Sequence, residues 1–384
     1  MVEMNGASDL APVVLRVMGV VVHLRATGGR AAELRADLVR AWERCLEETS
    51  EAPAATVEIC LDDDPDLVVR ARARGAVAGT DLFLVMDEVS SSLTQTTLEQ
   101  VVGTRWLLHA CALADTTTGR TVVLVAPSGT GKTTASRTLG QSLGYLTDET
   151  AVIALDGSIV PFAKPLSLLV DGKRPKRQVS PAEAGLVVAP PDCTVVAVAL
   201  LQRESEPTEV RVEDVPMVEG LSILAEQTSS LHLLDRPLHT VANLLNARRA
   251  APSRLLRGRR PGARRQLLAA RARPGRRPRP RGGPPVSSSL VNVRRLPVID
   301  EYVEDGRSAV LVEGRALTLS EIATYVLSRI DEEWTAYDAL VATVEEEVGA
   351  PPEGSTGEAL EQLLRDLAGH HLVELDEVGS DAPA

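Results

Sequence analysis

The chain has 384 residues, 44% of them hydrophobic but only 2% aromatic, and a formal net charge of −12. That length predicts two or three domains with aliphatic cores, and the acidic balance argues against general nucleic-acid affinity. The four cysteines (Cys45, Cys60, Cys111 and Cys193) form no CxxC pair, which argues against a disulfide frame or a zinc site and predicts buried thiols in a reducing compartment.

The N-terminus lacks a basic region ahead of its first apolar run, Ala11 to Val22, and Arg16 interrupts that run. It reads as a strand and not as a signal peptide. No run approaches the roughly 18 apolar residues of a membrane span, so a cytoplasmic protein without a membrane partner is expected. Residues 1–100 are predicted to form a small α/β domain. Val13 to His23 is extended, and Ala31 to Glu47 is helical by the spacing of Leu34, Leu38, Ala41, Trp42 and Cys45. Ala55 to Leu61 and Asp81 to Met86 read as strands. No catalytic motif stands out in this part.

Residues 101–247 carry the chemistry. Arg105 to Leu113 reads as an apolar strand containing one histidine, His109. A lone histidine in such a strand is more often structural than catalytic. A turn at Asp115 to Arg120 leads into the apolar run Val122 to Val125 and then Ala-Pro-Ser-Gly-Thr-Gly-Lys-Thr-Thr, residues 126–134. Strand, Gly-rich turn and helix are the context a phosphate-binding P-loop requires. Ser128, Gly129, Thr130, Gly131, Lys132, Thr133 and Thr134 are therefore the candidate nucleotide-binding residues. The two glycines let backbone N–H groups converge, and the helix N-terminus adds its dipole. Lys132 would reach the β- and γ-phosphates, and the Thr133 hydroxyl would complete a Mg²⁺ shell. Ala126 stands where the usual pattern has glycine, which limits the turn without removing an N–H donor.

Asp148 and Glu149 follow Thr133 by one helix and one short strand, a spacing that returns them beside the P-loop. An acid there can hold Mg²⁺ through water or accept a proton from an attacking hydroxyl; the plainer alternative is a solvated acidic turn. Thr150 to Leu155, Pro161 to Val170 and Val195 to Leu201 read as extended, and Ser222 to Leu245 as largely helical with a break at Arg236-Pro237.

Residues 248–290 change composition. Between 248 and 281, 14 of 34 residues are Arg and none is acidic, with no helical or strand period. The stretch reads as a basic linker, as a nucleic-acid or membrane tether, or as GC-rich coding sequence read out of frame. Residues 291–384 change again. Two strands, Val298 to Tyr302 and Ala309 to Val312, precede three short helices. Thr318 to Glu321, Thr335 to Asp338 and Ser355 to Glu358 resemble capping boxes at their starts. His371 to Leu375 would close a wing strand. A hairpin with three helices is a winged-helix layout, yet residues 298–384 hold 21 Asp/Glu against four Arg and no Lys, a balance of −17. Phosphate contacts dominate DNA affinity, so DNA is not the expected partner.

His109, the Ser128 to Thr133 loop and the Asp148-Glu149 pair together resemble the HPr kinase/phosphorylase family over roughly residues 100–247. Tyr145 to Glu149 and Lys164-Pro-Leu-Ser167 look closest to its divergent actinobacterial-type branch. The resemblance implies an α/β P-loop kinase core using ATP and Mg²⁺, with Asp148 as the base on a serine hydroxyl. It also implies Thr133 and Glu149 near the metal, His109 close to the phosphates, and a homo-oligomer. The family has a second aspartate where this chain has Glu149. Residues 291–384 resemble PqqD-like peptide-recognition domains, which bind a leader peptide by adding it to a sheet edge.

The leading expectation is an ATP-dependent kinase of a Ser/Thr hydroxyl on a ribosomally made precursor peptide, its leader bound by residues 291–384. A kinase of a carrier protein or small metabolite, and a non-catalytic nucleotide-switched peptide chaperone, are the alternatives.

Overall fold

A computed structural model describes residues 10–127, 129–170, 173–202, 211–247, 255–259, 289–352 and 354–378. The fold is mixed α/β with several sheets. Its described residues fall into two compact units. The first holds residues 10–202, 211–215, 227–247 and 255–259; the second holds residues 216–226 and 289–378. No helix among the described residues is long and apolar enough to cross a membrane.

In the first unit, Val13–Val17 and Val20–Thr27 form a hairpin, and Ala55–Leu61 and Val77–Gly79 extend it in parallel to a four-stranded sheet. Helix Ala31–Ala41 packs on it through Ala31, Leu34, Leu38 and Ala41, the positions that share one face at helical spacing. Residues Asp81 to Met86 are not the strand expected. Asp81 is the N-cap of helix Leu82–Val101 and accepts the Leu84 N–H at 2.9 Å. The run Leu82 to Met86 is apolar throughout and hides the period. Further on, buried Val85, Val89, Leu93, Thr97 and Val101 reveal it. The core under this sheet also contains Leu107, Val152 and Phe162, with Phe162 stacked against Trp42 at 6.4 Å, so residues 1–100 share a core with the segment that carries the Gly-rich turn.

A seven-stranded sheet carries the Gly-rich turn. Its order is Val187–Val188, Gly144–Thr147, Ala110–Ala114, Arg120–Val125, Thr194–Leu201, Leu255–Arg259, Arg211–Asp214. A three-stranded sheet, Ile159–Val160, Ala151–Ile153, Trp106–Leu108, lies on the same chain segments. Two antiparallel neighbours thus pass from one sheet to the other together. Trp106–Leu108 pairs with Ala151–Ile153, and Ala110–Ala114 pairs with Gly144–Thr147. The expected single strand from Arg105 to Leu113 is broken at His109, where this passage occurs. Leu255–Arg259, inside the Arg-rich stretch, forms a strand parallel to Thr194–Leu201 and antiparallel to Arg211–Asp214. Ladder bonds from both sides fix it, which composition alone does not signal; the remainder of 248–281 lies outside the described residues.

The second unit has two three-stranded sheets. One orders Thr335–Ala336, Leu290–Arg295, Val373–Glu377; the other orders Asp300–Glu304, Arg307–Val312, Arg315–Leu319. Asp305-Gly306 and Glu313-Gly314 supply paired positive φ angles for two tight turns, as two-residue hairpins require. The second turn adds a third strand, Arg315–Leu319, where a direct entry into the first helix is expected. Helices Glu321–Ser328, Tyr337–Glu347 and Thr356–Gly369 follow. Only the last has a full capping box, Ser355 with Glu358. The first is capped by Ser320 instead of Thr318, and the second has Ala336 at its N-cap without a side-chain bond. A fourth helix, Met217–Glu226, comes from the middle of the chain. It buries Met217, Val218, Leu221 and Leu224, its Ser222 hydroxyl lies 2.7 Å from Thr318 Oγ1, and its Glu219 pairs with Arg307 at 3.2 Å.

Candidate functional site

Strand Arg120–Val125 ends at buried Ala126, and helix Lys132–Leu139 begins six residues later. Gly129 and Gly131 have φ of 81° and 108°, a region that side chains rarely adopt. A Cβ at either would meet no atom within 4 Å, so backbone geometry and not crowding calls for glycine. Lys132 folds over the loop. Its Nζ donates to the Ala126 carbonyl and, at 3.4 Å, to the Pro127 carbonyl. Burial lowers its pKa. Thr130 turns its hydroxyl onto the Pro127 carbonyl and so serves the loop itself. Ser128 lies outside the described residues.

A cleft of about 470 Å³ opens on this loop. Gly129, Gly131, Lys132, Thr133, Thr134, His109, Asp148 and Glu149 all line it, so the structure brings together the three elements that are separate in sequence. The reason lies in the sheet passage. His109 sits at the break of one crossing strand and Asp148-Glu149 at the break of its neighbour, and the Ala110 N–H donates to the Glu149 carbonyl at 3.1 Å. Where a strand leaves one sheet for another, its side chains are freed from both cores. The His109 N–H donates to the Gln227 carbonyl at 2.7 Å. Burial, and then the Lys132 charge, lower the His109 pKa against the opposing pull of Glu149, which favours the neutral imidazole at pH 7.

The two acids have different partners. Buried Asp148 accepts a hydrogen bond from the Tyr145 phenol at 2.9 Å. Burial and the Asp148 charge push Tyr145 well above the usual phenol range, so it stays a donor. Glu149 pairs with Lys164 at 2.6 Å. Lys164 is buried, and Ser90 Oγ, the Pro165 carbonyl and Ser167 Oγ lie 3.4–3.5 Å from its Nζ. In the sequence, Tyr145 and Lys164 stand out only as parts of longer strings. Their burial beside acids is the signal, and it is visible only in three dimensions. Helix Leu82–Val101 also reaches the cleft, through Asp87, Ser90 and Ser91, although residues 1–100 carry no recognisable motif. Cys111 is close by, but burial raises its thiol to about 12, which makes it a packing residue.

Among the described residues, no group of three or more His, Cys, Asp or Glu side chains gathers as a metal site. Among the cleft's oxygen donors, the Thr133 hydroxyl and the Asp148 and Glu149 carboxylates suit a hard cation that would take its other ligands from phosphate and water. No protein-family model matches the chain, and no curated protein matches it.

Proposed function

We propose that the protein is an ATP-dependent phosphotransferase of the HPr-kinase-like P-loop type, acting on a Ser/Thr hydroxyl of a precursor peptide. The observation that carries the reading is the convergence of the Gly129–Thr134 loop with Asp148 and neutral-favouring His109 in one cleft. In this reading the loop N–H groups and Lys132 hold the β- and γ-phosphates. Thr133 and Glu149 would hold Mg²⁺, which would neutralise phosphate charge when bound. Asp148 takes the proton of the acceptor hydroxyl as its oxygen bonds the γ-phosphorus, and the bond to the departing ADP oxygen breaks. Tyr145 fixes the Asp148 carboxylate for this task.

The second unit is read as a PqqD-like winged-helix module for the leader. Among the described residues no strand pairs with the outer edge of Asp300–Glu304, and Val303 is exposed on it. An extended peptide can add to such an edge. Residues 298–384 hold 21 Asp/Glu against four Arg and no Lys, a balance that favours a basic leader. Tethering through this unit raises the acceptor's effective concentration at the cleft.

Mass spectrometry of candidate precursor peptides incubated with the full chain, ATP and Mg²⁺ tests the reading. A phosphate mass shift that disappears in Asp148→Asn is the expected result. Transfer to a sugar or carrier protein and to no peptide would replace it with the metabolite-kinase alternative, and nucleotide binding without any transfer would favour the chaperone.

A further inference from the structure

The cleft has a second end. From Glu149, polar contacts lead through Lys164 to Ser167, whose hydroxyl donates to Gln178 Oε1 at 3.1 Å. Gln178 Nε2 donates in turn to Asp87 Oδ1 at 3.2 Å, and Asp87 Oδ2 accepts the Lys176 backbone N–H at 3.3 Å. Ser167, Asp87 and Lys176 line the cleft together with the Gly-rich loop. Glu149 is thus linked, through Lys164 and Ser167, to the hairpin formed by Leu166–Val170 and Lys173–Val179.

That hairpin is irregular where it matters. Its register is regular from Leu166↔Val179 to Leu169↔Lys176, then jumps to Val170↔Lys173. Pro175, which has no N–H to give the ladder, sits in the jump. A bulge of this kind re-aims the side chain beside it. Lys176 is that residue, half-buried on the cleft wall. Of the three cleft lysines, Lys132 bonds the loop carbonyls and Lys164 bonds Glu149, while among the described residues no carboxylate lies within ion-pair distance of Lys176 Nζ. The Asp87 carboxylate is taken up by the Lys176 backbone and Gln178 and holds the strand in place.

In-line phosphoryl transfer puts the acceptor hydroxyl between the γ-phosphorus and the base, opposite the departing ADP oxygen, so the acceptor enters from the part of the cleft away from the Gly-rich loop. We infer that Lys176 is a specificity-determining residue for the acceptor, and that the acceptor is an acidic peptide segment carrying a carboxylate near its reacting hydroxyl. This rests on the kinase reading. Together with the acidic second unit, it makes the precursor a chain of two signs, basic where it is recognised and acidic where it is modified.

The test uses the full chain, ATP, Mg²⁺ and two synthetic peptides of equal length with one serine each, flanked by aspartates in one and by lysines in the other. The aspartate peptide is the better substrate, and Lys176→Ala raises its KM about tenfold with KM for ATP unchanged. Lys176→Arg retains most of the preference, and Lys176→Glu shifts it toward the lysine peptide. Transfer that ignores the flanking charge, or a KM for ATP that rises in place of the peptide KM, overturns the inference and leaves the kinase reading standing. Absence of transfer to either peptide, at concentrations that do not depend on a leader, overturns both.

Discussion

The two units handle charge differently. The first shields Lys132, Lys164 and Asp148 from solvent around one cleft. Among its described residues the second buries no cation and one acid, Asp300. Its Arg-Glu pairs, such as Arg329–Glu347 and Arg365–Glu361, stay on the surface, and its core is aliphatic around Val326, Leu327 and Leu364. Burying a charge costs several kcal/mol that pairing does not reliably return. A fold that accepts this cost at one cleft has reason to keep those groups preorganised, whereas exposed charges of one sign tune attraction and add little stability. In the proposed reading, this difference puts chemistry in the first unit and recognition in the second.

The hardest test of that division is Asp148→Asn. The amide keeps the shape and can still meet Tyr145, but it cannot take a proton. Loss of a general base typically costs about 10²–10⁴-fold in rate, while ATP affinity measured by calorimetry stays the same. Near-normal turnover would make Asp148 a structural residue and leave the cleft without an assigned base. Lys132→Ala is the companion: it should weaken ATP binding itself, because its side chain serves the loop and the phosphates.

The Glu149–Lys164 pair offers a sharper comparison inside the first unit. The Lys164 side chain is 2% exposed and that of Glu149 is 35% exposed. Removing the acid strands a buried ammonium on three contacts of 3.4–3.5 Å. Removing the lysine leaves an acid that water can reach. Glu149→Ala should therefore destabilise by about 3 kcal/mol, at the lower end of the cost of breaking a buried pair. Lys164→Met should cost about 1 kcal/mol or less, as for a solvated partner. Denaturant titration of both variants decides it, and equal losses would mean that the pair is not buried as described.

Much of this site was legible in the chain because it is local. The Gly-rich loop needs only its own residues, a strand before and a helix after, and the distance from Thr133 to Asp148 is one helix and one strand. The partners were not legible, because Lys164 meets Ser90 across 74 positions and Gln178 meets Asp87 across 91. No period or spacing encodes such contacts. Helix Leu82–Val101 was obscured at its start by five consecutive apolar residues. Helix Met217–Glu226 overlaps the expected helical stretch Ser222 to Leu245 only from Ser222 to Glu226 and starts five residues earlier; its packing in the second unit depends on Thr318 and Arg307, far along the chain. That packing also means that a chain cut at residue 290 would expose the helix's apolar face, so recognition is better tested by point changes in the full protein.

Val303→Lys is such a change. The side chain is exposed on the edge strand, so folding should be little affected. An added cation there should repel a basic leader and raise KM for a lysine-rich leader peptide about threefold, in the range of an exposed charge pair. The chemical step should be unchanged, since Asp148 is untouched. The effect should fade near 1 M salt, where the screening length falls to about 3 Å. A lower kcat with constant KM would tie this strand to catalysis and blur the division between the units.

The smallest expected effect comes from His109. Its pKa in the folded protein is below the ordinary value of 6.5, through burial and the Lys132 charge. As pH falls through 6.5, the unfolded chain takes up this proton before the folded one does. Stability therefore declines with falling pH until the folded pKa is passed, and above 6.5 the contribution is level. His109→Asn should flatten that part of the profile, measured as denaturation midpoints between pH 5 and 8. Lys132→Ala should flatten it partly, because it removes one of the two causes and leaves burial in place. If both variants follow the slope of the parent protein, the histidine is not held against its charged form. The neutral imidazole assigned to the phosphate end of the cleft would then lose its physical basis, while Asp148 and the Gly-rich loop would keep theirs.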